Sequence, residues 1–326
     1  MNAIPDAVVG RLARALRAPD LSETRYVLGA QVGRGGMGSV WEAEDPALDR
    51  KVAIKVLDLP DPSGDLTARL RREARVLALL EHPGIVPVHD VGSLPDGRPF
   101  YSMKLVRGER LDESAARLAT LPERLRLFLR VCEPVAFAHA RGVVHRDLKP
   151  GNVMVGPFGE VLVLDWGIAR LLAEAEPGDA DAGTPRGAGQ APEALREERT
   201  AAGTILGTPG FMAPEQERGD EDVDHRADVF ALGALLRSLA GGVSGPNRRL
   251  AAIVAKATAA RPGERYADVT SLAADVTRFL DGEPVSAYRE RPWERAARFA
   301  SRHRVALLLV ATYLAARALV LLVYRR

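Results

Sequence analysis

Apolar and polar positions alternate along the first hundred residues, with turn residues between the runs. Tyr26-Val-Leu-Gly, Val40-Trp-Glu-Ala and Lys51-Val-Ala-Ile-Lys-Val-Leu57 each read as a strand. Residues 66–80 break that rhythm. Their apolar positions return at helical spacing, and His82-Pro83-Gly84 stops the helix. Two further strands are predicted over 85–91 and 99–105. After Gly108 the period is mostly helical, near 113–119, 122–141, 226–240, 247–260 and 269–280, with short strands near 153–155 and 161–164. The pattern predicts an α+β chain: a β-rich first part with one helix, then a helical part. Val8–Leu16 could form a short amphipathic helix, and no secretory signal opens the sequence. Residues 173–199, rich in Ala, Gly, Pro and acids, predict a mobile loop.

The tail differs from everything before it. Residues 305–324 are almost wholly apolar, with Arg317 as the only charge. Twenty helical residues span about 30 Å, the thickness of a bilayer core. Residues 289–304 carry six arginines, against Arg325 and Arg326 on the far side. That asymmetry predicts a single-pass membrane helix with residues 1–304 in the cytoplasm. A buried or interfacial helix is the competing reading, supported by the cost of Arg317 in mid-span.

Composition changes the picture little. The chain has 326 residues, 47% hydrophobic and 27% charged, which suits a globular protein rather than a disordered one. Its net charge of +2 is too balanced for nucleic acid as the main partner. The single cysteine, Cys132, excludes an internal disulfide and a Cys-based zinc site. Of 45 basic residues only five are lysines, so each Lys invites the question of whether an ammonium is needed there.

Two lysines fall inside motifs. Gly33-Arg34-Gly35-Gly36-Met37-Gly38-Ser39-Val40 is a G-x-G-x-x-G-x-V loop between two predicted strands. Glycines let backbone approach phosphates closely, although a plain Gly-rich hairpin would read the same way. A dinucleotide fingerprint would continue into a helix, and here a strand follows. In Val52-Ala53-Ile54-Lys55 the lysine either meets an anion or reaches water from an edge strand; Glu73 is the candidate carboxylate. His145-Arg146-Asp147-Leu148-Lys149-Pro150-Gly151-Asn152 gathers a proton acceptor, a cation and an amide oxygen in one loop. Asp165-Trp166-Gly167 ends an apolar strand with a carboxylate suited to Mg²⁺. Gly207-Thr208-Pro209-Gly-Phe-Met-Ala213-Pro214-Glu215 and Asp224-His-Arg-Ala-Asp228 follow.

In this order the segments resemble the motif set of protein kinases, and the chain is similar to bacterial eukaryotic-like (Hanks-type) serine/threonine kinases from about Tyr26 to Gly282. The resemblance implies a two-lobed fold: N-lobe 26–106, C-lobe 107–282 with an activation-loop insertion at 173–199. Around it lie an N-terminal extension (1–25), a basic juxtamembrane segment (283–304) and the membrane helix (305–324). It implies ATP and Mg²⁺ as cofactors. Residues 33–40 would cover the nucleotide, joined by Ala53, Met103 as gatekeeper, and Lys104, Leu105 and Val106 as hinge. Lys55 would hold phosphates and pair with Glu73. Asp147 would orient the substrate hydroxyl beside Lys149, and Asn152 and Asp165 would hold the metal. Thr208 matches the Thr that supports that loop. Asp228 would brace the catalytic loop, and Arg265 would pair with Glu215. Protein substrates follow, with self-association for autophosphorylation at Thr200 or Thr204 near Arg146. Two departures stand out: Trp166 replaces the usual Phe, and only Gly241–Asn247 separates two helices where the family carries a docking helix. They support a second reading, a pseudokinase scaffold that binds nucleotide or partners without turnover.

Overall fold

The computed structural model describes residues 18–35, 38–57, 65–166, 210–220, 223–241, 247–295 and 304–324. The insertion 173–199, Thr200, Thr204, Thr208, Gly36, Met37 and most of the N-terminal extension lie outside the described residues.

Five antiparallel strands form the first layer in the order β1 (Val27–Gly35), β2 (Gly38–Asp45), β3 (Arg50–Leu57), β5 (Pro99–Lys104), β4 (Val88–Ser93). Alternation decides which face each side chain serves. On β3, Ala53 and Leu57 face the main core, and Tyr101 and Met103 of β5 join them. Val52, Ile54, Val56 and Phe100 face the other way, into a smaller core with Leu21, Tyr26 and Trp41. Helix α1 (Asp65–Ala78) covers the main-core face through Leu70, Ala74 and Leu77.

The second lobe is helical. Helix α2 (Leu111–Arg117) follows the two-residue strand β6 (Glu109–Arg110), which the apolar pattern is too short to announce. Helix α3 (Leu121–His139) starts on a capping box: Glu123 N–H donates to Thr120 Oγ1 at 3.4 Å, and Thr120 N–H donates to the Glu123 carboxylate at 3.0 Å. Its Leu125, Phe128, Val131, Cys132 and Val135 are buried at helical spacing. The short helix α4 (Pro214–Arg218) precedes α5 (Arg226–Ala240), which is buried along Val229, Leu232, Leu235, Leu236 and Leu239. Gly233 lets α5 approach α6 (Arg248–Ala257): a Cβ there would lie 2.6 Å from that of Ala257. Helix α7 (Val269–Leu280) is capped by Asp268, which accepts from Ser271 N–H at 2.6 Å. Strands β7 (Val153–Val155) and β8 (Val161–Val163) form a small sheet with β6.

Backbone pairing joins the lobes, with Val163 N–H donating to Gly84 C=O at 2.8 Å. Over residues 283–290 the chain stays on the C-lobe. Val285 is buried, and Ser286 and Ala287 N–H groups donate to Asp275 at 2.8 and 3.0 Å. Among the described residues no helix is long and apolar enough to cross a membrane. The expected span falls on the last helix, α8 (Arg304–Tyr324); the side chains beyond Arg317 lie outside the description.

Candidate active site

The site forms where β3 and β5 of one lobe face the loop before β7 and the end of β8 in the other. Lys55 points from β3 into this cleft, its side chain 12% exposed. Its ammonium lies 2.8 Å from Asp165 Oδ1. Tyr101 stands directly opposite Lys55 in the β3–β5 register, and its hydroxyl donates to the same oxygen at 3.2 Å. Burial by itself would raise the Asp165 pKa, but the Lys55 charge and these hydrogen bonds outweigh it and hold the carboxyl below its usual range. Asp165 has φ 52°, in the left-handed region that costs a non-glycine residue about 1–2 kcal/mol.

The second cluster is the loop before β7. Asp147 Oδ2 accepts from Lys149 Nζ at 2.8 Å and from Asn152 Nδ2 at 2.9 Å. Asn152 Nδ2 also donates to the Asp147 carbonyl at 2.8 Å. Two consecutive donors turned inward fix the loop from below. His145 N–H and Arg146 N–H donate to the two Asp228 carboxylate oxygens at 2.7 and 2.8 Å. Arg146 has φ 66°, so buried Asp228 sustains a strained turn. His139 Nε2 adds a third contact to Asp228 at 2.7 Å. Burial favours a raised Asp228 pKa, yet His139, His145 and the backbone donors lower it. Gln216 Nε2 donates to the Arg146 carbonyl at 2.9 Å.

His145 is fully buried, and desolvation, the largest effect, lowers its pKa. Its Nε2 lies 2.8 Å from the Leu164 carbonyl, and its Nδ1 accepts from Asp147 N–H at 3.3 Å. That pattern fixes a neutral ring protonated on Nε2. Trp166 packs against it with ring centroids 4.8 Å apart, and the indole N–H donates to Val163 C=O at 3.2 Å. Glu215 and Arg265 form a buried bidentate pair at 2.6 and 2.6 Å.

The Gly-rich segment enters as a hairpin. Gly38 has φ 152°, and a Cβ there would lie 2.0 Å from Val56 O, so only glycine fits. Gly33, Arg34 and Gly35 pair with Val40, Ser39 and Gly38 across it. Ala53 and Met103 are buried side by side in the register, and Lys104, Leu105 and Val106 lead out of β5. Glu73 lies on α1, but its side chain is outside the description; the carboxylate found on Lys55 is that of Asp165. Tyr101, His139 and Gln216 escape sequence reading. Tyr101 becomes visible only once the strand register sets it against Lys55.

The donor set fits a hard divalent cation. Asn152 commits its amide nitrogen to Asp147, which leaves its oxygen for a metal, and Asp165 commits Oδ1 to Lys55 and Tyr101, which leaves Oδ2. Among the described residues no group of three or more His, Cys, Asp or Glu forms a metal cage. Two protein oxygens completed by phosphates and water are the usual magnesium arrangement.

Residues 26–247 match the protein kinase domain model. The chain is 35% identical over 304 residues to the serine/threonine-protein kinase PknD of Chlamydia caviae, covering 80% of this chain and 32% of that protein. It is 36% identical over 242 residues to the serine/threonine-protein kinase pkn3 of Myxococcus xanthus, covering 70% and 41%. The chain thus spans about a third of the length of the PknD relative. The crystal structure of the Mycobacterium tuberculosis PknI kinase domain superposes with a TM-score of 0.56 at 26% identity, covering 78% of this chain and 96% of that one. With this two-lobed architecture, the chain belongs to the protein kinase domain family, in its bacterial Hanks-type serine/threonine branch.

Proposed function

We propose that the chain transfers the γ-phosphoryl of Mg·ATP to serine and threonine hydroxyls of proteins, itself included, while tethered to a membrane. The observation that carries the catalytic part is the convergence of Lys55, Asp165, Asp147, Lys149 and Asn152 on one interlobe cleft. Asp147 has Oδ2 occupied by Lys149 and Asn152, so Oδ1 accepts the proton of the attacking hydroxyl. Lys149, beside it, compensates the charge of the transferring phosphoryl. Lys55 binds nucleotide phosphates, and the hairpin through Gly38 excludes water above them. Asn152 and Asp165 hold the Mg²⁺, which when bound neutralises charge on the phosphate oxygens. Little covalent work falls to the protein; positioning and fixed charge carry the rate.

Labelled ATP and Mg²⁺ added to the full chain in bilayers test this. Label on serine or threonine, absent from Asp165→Asn, is the expected result. Nucleotide binding without transfer would favour the scaffold instead. Among the described residues Trp166 packs against His145, and Asp165 keeps its 2.8 Å contact with Lys55.

The same reading gives Thr200 and Thr204 as phosphorylation sites whose added charge pairs with Arg146, through self-association of tethered copies. Phosphopeptide mapping of an active preparation checks it. Membrane anchoring rests on the apolar run 305–324 and the arginines before it, with the kinase lobes in the cytoplasm. Extraction from membranes by detergent but not by carbonate or salt is the expected behaviour.

A further inference from the structure

Tyr101 is a polar residue in an apolar setting. It is 3% exposed, and the core around it holds Ala53, Leu70 and Met103. A phenylalanine would fill the same space, so the hydroxyl needs a reason and a partner. That partner is Asp165 Oδ1 across the lobe boundary, at 3.2 Å. Lys55 Nζ reaches the same oxygen at 2.8 Å from the neighbouring strand. Two N-lobe donors therefore hold one oxygen of a C-lobe carboxylate that sits on a left-handed backbone, φ 52°.

The two donors differ in what nucleotide does to them. Lys55 is the cation that phosphates would claim. Tyr101 is neutral, sits in the middle of β5, and has no attraction to phosphate beyond a hydrogen bond. When the ammonium turns to the nucleotide, the phenol stays.

We propose that Tyr101 is a positioning residue for Asp165, whose hydroxyl keeps Oδ1 engaged and so aims Oδ2 at the divalent cation once Lys55 has left for the nucleotide. This rests on the kinase reading above and adds to it a residue from β5. Removing the hydroxyl leaves the carboxylate free to rotate away from the metal, so the loss falls on metal affinity rather than on the chemistry.

The test is Tyr101→Phe in the full chain, with Tyr101→Leu as a second hydroxyl-free variant of different shape. Calorimetry follows ADP binding as Mg²⁺ is titrated. We expect the Mg²⁺ concentration for half-maximal binding to rise about three- to tenfold in both variants, the scale of an ordinary hydrogen bond's net contribution. ADP binding without metal stays within about twofold. In the phosphorylation assay the Mg²⁺ requirement rises in step, and kcat at saturating metal is retained. Unchanged Mg²⁺ dependence, with or without a lower melting temperature, would overturn the proposal and leave the hydroxyl a packing feature. An unsubstituted chain that binds no Mg·ADP would overturn the kinase reading itself, and the role of Tyr101 with it.

Discussion

At the scale of single residues, the cleft is held by contacts whose loss has separable effects. Lys55→Met removes the ammonium from Asp165 and from the nucleotide while filling its volume. Transfer should fall at least about 100-fold, the usual cost of deleting a preorganised charge, with the circular dichroism spectrum unchanged. Trp166→Phe is milder. It keeps an aromatic ring against His145 but drops the indole bond to the Val163 carbonyl. The lost bond and ring volume should cost about 1–3 kcal/mol in urea unfolding, with phosphorylation retained. Loss of activity with unchanged stability would mean that Trp166 acts on the chemistry and not as an anchor. The strained residues Arg146 and Asp165 explain why these loops need such anchors. Asp228 holds the first from below, and Lys55 with Tyr101 holds the second from above.

At the scale of elements, α4 is tied to the loop before α7 by Glu215 and Arg265, whose side chains are 6% and 0% exposed. Arg265 also donates to the carbonyls of Ala259, Ala260 and Arg226, so it cannot leave with its charge. Glu215→Ala strands that guanidinium and should cost about 3–5 kcal/mol in urea unfolding. A loss below about 1 kcal/mol would show that water reaches Arg265. The element scale is also where the sequence was most legible. The β3 and α5 patterns set both period and boundaries, because long apolar runs with clear stops leave one way to bury them. Strand β6 and helix α4 were missed. Two and five residues are too short for a period, and their places come from pairing with β7 and from Glu215. The motif residues were legible from type and spacing, whereas Tyr101, His139 and Gln216 were not. Their work depends on which residue stands opposite in the folded chain. The segment after Gly282 reads as a basic juxtamembrane segment, and Asp275 fastens its start to the lobe through Ser286 and Ala287.

At the scale of the whole molecule, the buried and half-buried titratable groups act together on stability, and their signs agree. His82, His89 and His145 all have pKa values pushed below the ordinary 6.5, each with desolvation as the largest cause. The folded protein keeps them neutral, while the unfolded chain takes up protons as pH drops through 6.5. Stability therefore begins to fall there. Asp165, Asp228 and Asp275 continue the trend. Burial alone would raise them, but their hydrogen bonds and cationic neighbours hold them below the ordinary 3.8. The unfolded chain again binds protons first, so a second, steeper loss sets in as pH falls through about 4. On the alkaline side the order reverses. Burial raises Cys132 above its ordinary 9.0 and Tyr26, Tyr101 and Tyr266 above 10.0. The unfolded chain now releases protons first, so stability falls as pH rises above about 9. Thermal melting from pH 3 to 11 should give a plateau between about pH 6.5 and 9 with a shoulder on its acid side. His145→Asn removes the titrating ring nearest the catalytic loop and should flatten that shoulder while lowering the plateau. An acid shoulder left unchanged by His145→Asn would contradict the neutral ring, donating to the Leu164 carbonyl and packed against Trp166, on which the geometry of the catalytic loop depends.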